Sequence, residues 1–352
     1  MRILITGIAG FIGFHTAQEL LQDPNNFIVG IDNFCDIPYD SSYKWERVKH
    51  LNAFTMQDIQ KLNSKYINKI ESSSKNITLY NFDLSTQAEI LDKIVQTFNP
   101  DVLIHYAAIA NPRYSLHYPN LYVQSNILGF TNVLNSVSKF STSTHIIFTS
   151  SSSVYSDVLN DKDQSKFKSI ESLSSTENQS SIYSATKKCD EIIANTYSKI
   201  FNLKITCLRP FTVYGPFSRP DMFINIAISS IQNHIPIHLY NNGNNYRDFT
   251  YIDDFIRCVK LLIQNPSNQN NNSNYKTYNI GSENPIQIKF VLSLIEKFMN
   301  DSTIVFNKPA QNETAYTFSD MSLFYNDYNY KPNTKFEVGL KSTIQSYLQN
   351  KT

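Results

Sequence analysis

The sequence predicts an α/β fold, a doubly wound parallel sheet with a smaller C-terminal α/β domain, and three observations carry that prediction. First, the apolar run Arg2-Ile3-Leu4-Ile5 opens onto a glycine turn, Thr6-Gly7-Ile8-Ala9-Gly10-Phe11-Ile12-Gly13. The turn leads into His15-Thr16-Ala17-Gln18-Glu19-Leu20-Leu21, which has helical periodicity. Second, Phe27-Ile28-Val29-Gly30-Ile31-Asp32 reads as another strand, ending in an acid. Third, short apolar runs continue to alternate with helical stretches, the pattern of parallel strands joined by crossover helices.

The glycines of the first turn allow a tight bend, close approach of a pyrophosphate to backbone N–H groups, and packing of helix on strand. Asp32 stands 25 residues after Gly7. A carboxylate there accepts from both hydroxyls of an adenosine ribose and repels a 2′-phosphate, so NAD is favoured over NADP. A glycine turn without a ligand is the bland alternative, and the order strand, turn, helix, strand, acid argues against it. Residues 36–75 read as a polar, helical insertion crossing near the cofactor.

Ile77-Thr78-Leu79-Tyr80 is the next strand, leading into Phe82-Asp83-Leu84, whose acid is placed to meet an adenine amino group. Asp101 to His105 is a buried strand ending in Tyr106-Ala107-Ala108, where small side chains let a cofactor approach. His145 to Ser150 delivers a serine cluster at its C-terminal end, and Ile205 to Pro210 follows. Ligands of such sheets gather at the carboxyl ends of the strands. Asn268 to Asn274 reads as a polar low-complexity loop.

Composition excludes several classes. Net charge is +1 with 17% charged residues, which makes no electrostatic case for nucleic acid or a membrane surface. Cys35, Cys189, Cys207 and Cys258 lack pairing or metal spacing, which suits a reducing compartment and no metal. The first strand starts at the initiator methionine, which leaves no room for a signal peptide, and no apolar stretch approaches the length of a membrane span. A cytoplasmic protein is expected.

Tyr183 and Lys187 stand four apart in Ser181-Ile182-Tyr183-Ser184-Ala185-Thr186-Lys187-Lys188. On a helix that spacing puts a phenol and an ammonium on one face. A cation about 4 Å from a phenol favours its ionised form by at most about 4 kcal/mol at an effective dielectric near 20. Such a tyrosine is a general base for a sugar or alcohol hydroxyl. In a chain with 22 tyrosines the spacing alone is weak. The dinucleotide turn and the earlier cluster Thr149-Ser150-Ser151-Ser152-Ser153-Val154-Tyr155 give it weight; a strand-end loop capping a helix is the bland reading of those serines.

The order of Thr6-Gly7…Gly13, Asp32, Asp83-Leu84, Ala107-Ala108, Ser150-Ser151, Tyr183…Lys187 and Arg209-Pro210 resembles the extended short-chain dehydrogenase/reductases that act on nucleotide sugars. The resemblance runs to Lys331-Pro332-Asn333-Thr334. Three segments, His105 to Ser115, Thr212 to Met222 and Arg247 to Asp254, are similar to UDP-glucuronate 4-epimerases in particular. The resemblance implies an NAD-binding Rossmann domain over residues 1–207, a mainly UDP-sugar-binding domain over 208–352 with a discontinuous boundary, and a homodimer through a helix bundle. It implies cofactor contacts at Gly7, Gly10, Phe11, Ile12, Gly13, Asp32, Asn33, Asp83, Leu84, Ala107, Ala108, Asn126, Tyr183, Lys187 and Pro210. Substrate contacts are implied at Ser151, Ser152, Ser153, Arg113, Thr212, Arg219, Met222, Arg247 and Tyr316.

By the same resemblance Ser151, Tyr183 and Lys187 are catalytic. Ser151 bonds the sugar 4-hydroxyl, Tyr183 removes its proton, and Lys187 supports the tyrosine and holds the nicotinamide ribose. The carbon-4 hydride passes to NAD, the sugar turns about its diphosphate link, and the hydride returns to the other face. NAD then stays bound between turnovers. Related 4,6-dehydratases carry an aspartate and a glutamate where Ser152 and Ser153 stand, and UDP-glucuronate decarboxylases carry a glutamate at the latter. Serines supply neither a carboxylic acid nor a carboxylate base, which argues for oxidation and re-reduction at carbon 4.

A 4-keto uronate is a β-keto acid, so its carboxylate must be held out of alignment with the carbonyl π system. Thr212, Ser152 and Ser153 suit this, Arg219 supplies charge, and Arg247 grips the diphosphate. Arg219 as a surface loop residue and Arg247 in a structural ion pair are the bland readings. A UDP-glucose or UDP-N-acetylglucosamine 4-epimerase stays open, although galactose epimerases usually carry asparagine where Thr212 stands. A non-catalytic NAD and nucleotide-sugar sensor also stays open. Departures from the family pattern are Ser156 for glycine, Phe217-Ser218 for Trp-Gly, and Gln311-Asn312-Glu313 for a Pro-Gly-Asp-like segment, which puts ribose and uracil contacts near Glu313 and Tyr316 in doubt.

Overall fold

A computed structural model of the chain describes all residues except 63–67, 156–167, 173, 267–273, 303, 309–313 and 350–352. Ser156, the polar stretch Asn268 to Ser273 and the segment Gln311-Asn312-Glu313 lie outside the described residues. The strands are β1 (Arg2–Thr6), β2 (Phe27–Asp32), β3 (Lys69–Glu71), β4 (Ile77–Asn81), β5 (Val102–His105), β6 (His145–Thr149), β7 (Lys168–Ser169) and β8 (Lys204–Pro210). They continue with β9 (Thr212–Tyr214), β10 (Ile237–Tyr240), β11 (Tyr246–Tyr251), β12 (Tyr275–Ile280), β13 (Pro285–Gln287), β14 (Val305–Lys308) and β15 (Phe318–Ser319). The helices are α1 (Phe11–Leu20), α2 (Ser42–His50), α3 (Met56–Leu62), α4 (Ala88–Phe98), α5 (Pro112–Ser115), α6 (Pro119–Tyr122), α7 (Gly129–Phe140) and α8 (Ile182–Phe201). Then come α9 (Phe223–Gln232), α10 (Ile252–Gln264), α11 (Ile288–Met299), α12 (Ser322–Tyr328) and α13 (Phe336–Gln349). A π-helical turn, Val123–Leu128, runs into α7.

The chain divides into two compact units. One holds Met1–Ser150, Ser181–Leu208 and Val259–Thr277, and the other holds Ser151–Ser180, Arg209–Cys258 and Tyr278–Thr352.

The first unit is built on an eight-stranded sheet of order β12-β8-β6-β5-β1-β2-β4-β3. The pairs β1–β2, β1–β5, β2–β4, β5–β6 and β6–β8 are parallel, and short β3 runs antiparallel at the edge. This is the doubly wound α/β sheet expected. From β1 the chain steps outward through β2 and β4, then returns to place β5 on the other side of β1. Ligands of such sheets bind beyond the carboxyl ends of the strands that flank this reversal, which here are β1 and β5. Helices α4 and α7 cover the sheet because their apolar residues recur at helical spacing: Leu91, Ile94 and Val95, then Phe130, Val133, Leu134 and Val137, all buried. They meet Leu4, Leu103, Ile146 and Phe148 in one core. The expected helical insertion 36–75 contains α2 and α3, but it also contributes β3, because Ile70 is buried against β4.

The second unit has its own core, with Tyr214, Ile228, Phe249, Val291, Phe336 and Leu340 among its buried residues. Its small sheet has the order β13-β11-β9. Asp248, fully buried in β11, organises the loops around it. It accepts hydrogen bonds from Ser282 N and Oγ (2.8 and 2.7 Å), Glu283 N (3.2 Å), and Ser319 N and Oγ (2.9 and 2.6 Å). A carboxylate with that many donors is stable without a cation.

Candidate active site

The turn after β1 is shaped by close approach. Gly7 has a φ of +71°, and a Cβ there would lie 2.6 Å from Ala107 N. A Cβ on Gly13 would lie 2.2 Å from Gly7 O, so only glycine lets α1 start this near β1. The turn is held by Gly7 N to Ile31 O (2.7 Å) and Gly10 N to Gly7 O (3.0 Å). The first amides of a helix have no intrahelical acceptor, and the first turn of α1 carries no acidic side chain. Phe11, Ile12 and Gly13 therefore present N–H groups and the positive end of a helix dipole to an anion. Ala107 and Ala108 follow β5 as half-buried small residues. The cradle fits a pyrophosphate.

Asp32 ends β2, buried, with Oδ2 accepting from Ala9 N (3.1 Å) and Oδ1 from Phe34 N (2.9 Å). A third partner is one that sequence reasoning missed. Lys44 of α2 is buried and donates from Nζ to Asp32 Oδ1 at 3.3 Å, with Cys35 Sγ at 3.5 Å. Burial works against the Lys44 ammonium, but the Asp32 carboxylate, together with Cys35 and Tyr39, outweighs it and holds the proton above the usual lysine range. One turn on, Arg47 donates from Nη1 to Ala9 O (3.3 Å) and Tyr39 OH (3.1 Å), so α2 braces both ends of the cradle. In sequence, Lys44 and Arg47 look like the solvated side of a polar helix; their i,i+3 spacing beside Val48 was the only signal.

Asp83 accepts from Ser85 N (2.8 Å) and Ser85 Oγ (2.5 Å) at one oxygen and from Asn33 Nδ2 (2.9 Å) at the other, so both oxygens bind within the protein. Burial raises this carboxyl, and the Ser85 and Asn33 hydrogen bonds outweigh burial to bring it below the usual range. Leu84 is buried beside it. Asn126, in the π-helical turn, accepts from Ile109 N (2.8 Å) and donates to Ile109 O (3.2 Å) and Thr186 Oγ1 (3.0 Å). It ties the strand-end loop to the residue before Lys187. Arg113 lies exposed on α5.

Tyr183 and Lys187 are one turn apart at the start of α8. Ser181 caps this helix, accepting from Ser184 N at 3.1 Å while Ser184 Oγ accepts from Ser181 N at 3.1 Å. The reciprocal cap fixes the first turn, where Tyr183 N also donates to buried Ser115 Oγ (3.2 Å). The Tyr183 ring is buried edge-on to Tyr122, with centroids 6.4 Å apart. Lys187 Nζ donates to Thr149 O (2.9 Å) and lies 3.4 Å from Asp190 Oδ2. The start of a helix favours negative charge, so the phenol and the ammonium stand where an oxyanion is tolerated.

The other predicted positions fall in the second unit. Ser151 caps a short 3₁₀ turn, Ser152–Val154, and its Oγ accepts from Ser153 N (3.1 Å) and Ser153 Oγ (2.9 Å). Tyr155 OH donates to Asn279 Oδ1 (2.6 Å) and accepts from Arg209 Nη1 (3.0 Å), which anchors the end of the cluster. Pro210 ends β8, and Thr212 opens β9, paired with Phe249 of β11. Asp221 grips Arg219 bidentately, at 2.9 Å from Nε and 2.6 Å from Nη2, which fixes the plane of the guanidinium. Met222 is the residue before α9. Arg247 lies on β11, half-buried, and donates from Nη1 to Tyr246 O (2.9 Å). Tyr316 bridges to Tyr246, their rings 5.1 Å apart.

Residues 3–281 match the model of the family described as Epimerase, NAD dependent epimerase/dehydratase family. The chain is 32% identical over 362 residues to Protein CapI of Staphylococcus aureus, covering 99% of each chain. It is 32% identical over 358 residues to UDP-glucuronate 4-epimerase 1 of Arabidopsis thaliana, covering 98% of this chain and 76% of that one. Its structure is similar to that of UDP-glucuronic acid 4-epimerase from Bacillus cereus, crystallised with UDP-glucuronic acid and NAD. That match has a TM-score of 0.83 and 29% identity and covers 99% of this chain and 100% of that one.

Proposed function

We propose, from the premise that this chain belongs to the NAD dependent epimerase/dehydratase family, that it is a 4-epimerase interconverting UDP-glucuronate and UDP-galacturonate. One observation carries this reading. Tyr183 and Lys187 stand together at the capped, buried start of α8, while the cluster Ser151-Ser152-Ser153 offers hydroxyls and no carboxylate. Relatives and a solved neighbour named for the same conversion support it.

When bound, NAD supplies a reversible hydride acceptor for sugar carbon 4. Gly7, Gly10, Phe11, Ile12 and Gly13 would hold its pyrophosphate and Asp32 and Asn33 its adenosine ribose, with Asp83, Leu84, Ala107, Ala108, Asn126 and Pro210 as its other contacts. Tyr183 takes the proton of the 4-hydroxyl and later returns it on the opposite face. Ser151 aligns that hydroxyl, and Lys187 supports the phenolate and the nicotinamide ribose. Ser152 and Ser153 do not protonate a leaving group, so elimination across carbons 5 and 6 is not run. Arg219, its plane fixed by Asp221, holds the uronate carboxylate with Thr212, and Arg113, Met222, Arg247 and Tyr316 hold the diphosphate and nucleoside.

The test is turnover of UDP-glucuronate beside UDP-glucose under matched conditions. A neutral hexose has no carboxylate for Arg219 and Thr212 to hold, so UDP-glucuronate is expected to turn over roughly tenfold faster or more. Arg219→Ala is expected to slow epimerisation and to release carbon dioxide and a UDP-pentose from the unrestrained 4-keto intermediate. Faster conversion of UDP-glucose would remove the uronate assignment and leave the 4-epimerase chemistry standing.

The cofactor reading has its own test. Asp32→Ala removes the ribose acceptor and also releases Lys44, which then adds a cation where a 2′-phosphate would sit. We expect less NAD retained on desalting and a narrower NAD-to-NADP affinity ratio. Cofactor released by heat from the unmodified protein is expected to be NAD, and a preponderance of NADP would refute the role given to Asp32.

Two further features belong to this reading, a homodimer and a cytoplasmic location. Apolar Val123, Leu128 and Phe140 before and along α7, and Ile192, Ile200 and Phe201 on α8, are exposed and supply faces for a helix bundle. Cys35, Cys189, Cys207 and Cys258 are thiols outside any disulfide. Among the described residues no helix is long and apolar enough to cross a membrane.

A further inference from the structure

Asp190 lies three residues after Lys187 on α8 and is 1% exposed, which puts a carboxyl group in the core directly behind the Tyr183–Lys187 pair. Its Oδ2 is 3.4 Å from Lys187 Nζ, while its Oδ1 is buried with no hydrogen-bond partner among the described residues. A buried carboxylate oxygen without a donor lowers stability. Asparagine has the same shape and carries no charge to desolvate, so an acid at this place is better explained by its charge than by its packing.

The surroundings leave Asp190 as the group whose charge varies. On its own helix it pairs with Lys187, and Cys189 and Glu191 are its titratable neighbours in the chain. Glu191 is already engaged by Ser150 Oγ (2.6 Å), Lys188 Nζ (3.5 Å) and Cys207 Sγ (3.8 Å). On β6 the Thr149 carbonyl takes the Lys187 ammonium. From β5, His105 is held neutral by burial and by the Lys187 charge, with Nδ1 on Thr6 Oγ1 at 2.8 Å. Burial drives the Asp190 carboxyl up to about 7 against the pull of Lys187, and Glu191 adds to the rise. Below that value Asp190 is neutral and Lys187 presents its full charge. Above it Asp190 is ionised and offsets that charge.

We propose that Asp190 is a positioning residue of the reaction, fixing the Lys187 ammonium against the Thr149 carbonyl and, when ionised, holding back part of the charge that Lys187 presents to Tyr183. This rests on the reading of Tyr183 as the general base.

The experiment compares kcat against pH for the unmodified enzyme, Asp190→Asn and Asp190→Glu, with Tyr183→Phe as control. In Asp190→Asn nothing offsets Lys187 at any pH, so the part of the acid limb that lies above about pH 7, where Asp190 is ionised in the unmodified enzyme, is expected to move to lower pH by on the order of one unit. Asp190→Glu is expected to keep the original limb. Ultraviolet difference spectra of each protein against its Tyr183→Phe counterpart isolate one phenol among the 22 tyrosines. Their phenolate signal should move in the same direction without any turnover. Asp190→Ser is a second neutral variant, read by the same two measurements if the asparagine variant does not fold. Unmoved profiles and spectra in a folded neutral variant would overturn the proposal, even if melting temperature or bound NAD fell. An active Tyr183→Phe would instead sink the general-base reading beneath it.

Discussion

Tyr183→Phe is expected to lower kcat by about 10²- to 10⁴-fold, the range for loss of a general base, while the protein still folds and binds both NAD and the UDP-sugar. The substitution deletes one hydroxyl. What holds the residue in place survives: the ring is buried beside Tyr122, the backbone amide donates to Ser115 Oγ, and the reciprocal Ser181–Ser184 cap lies outside the side chain. Proton removal has no second candidate at that position on α8, because Lys187 is committed to Thr149 O and Asp190. Epimerisation is measured by resolving the two UDP-uronates after incubation, with melting temperature and bound NAD as controls. A rate above about a tenth of the unmodified enzyme's would contradict the assignment.

Gly13→Ala is expected to abolish stable cofactor binding and to destabilise the first unit. The added Cβ would stand 2.2 Å from Gly7 O and 2.9 Å from both Gly7 C and Ile8 Cα, all backbone atoms that cannot rotate aside. Either α1 moves away from β1 or the turn opens, and each change spoils the amides that face the pyrophosphate. Overpacking of this kind costs about 1–3 kcal/mol and occasionally more, and a backbone-to-backbone clash belongs at the upper end. The gain in helix propensity from alanine, about 1 kcal/mol, is smaller. Urea unfolding and the NAD content of purified protein check this. Unchanged stability with NAD bound one to one would show that the turn has slack the geometry denies.

The local features of this protein were legible in its sequence. The glycine turn, the acid closing β2, the apolar runs that became β1, β2, β4, β5, β6 and β8, and the Tyr183–Lys187 spacing on a helix each depend on residues within a turn or a strand of one another. Steric limits on the backbone and burial of alternating or helical apolar patterns act at that range, so a reader of the chain meets the whole cause at once. The order of the strands, with β5 returning to pair with β1, and the small sheet of the second unit were set by long-range packing. So were the partners of the charged groups. Lys44 looks like a surface lysine until α2 folds over β2 and buries it on Asp32, and Asp248 looks like one acid among thirty until Ser282 and Ser319 converge on it. Asp190 reads as an exposed helix residue until β6 brings the Thr149 carbonyl to Lys187 and closes the core around both. The sequence by itself determined which chemical groups are present and which short elements carry them. The tertiary structure alone decided which of those groups lose their water, and in a desolvated place a charge is defined by its neighbours rather than by its type.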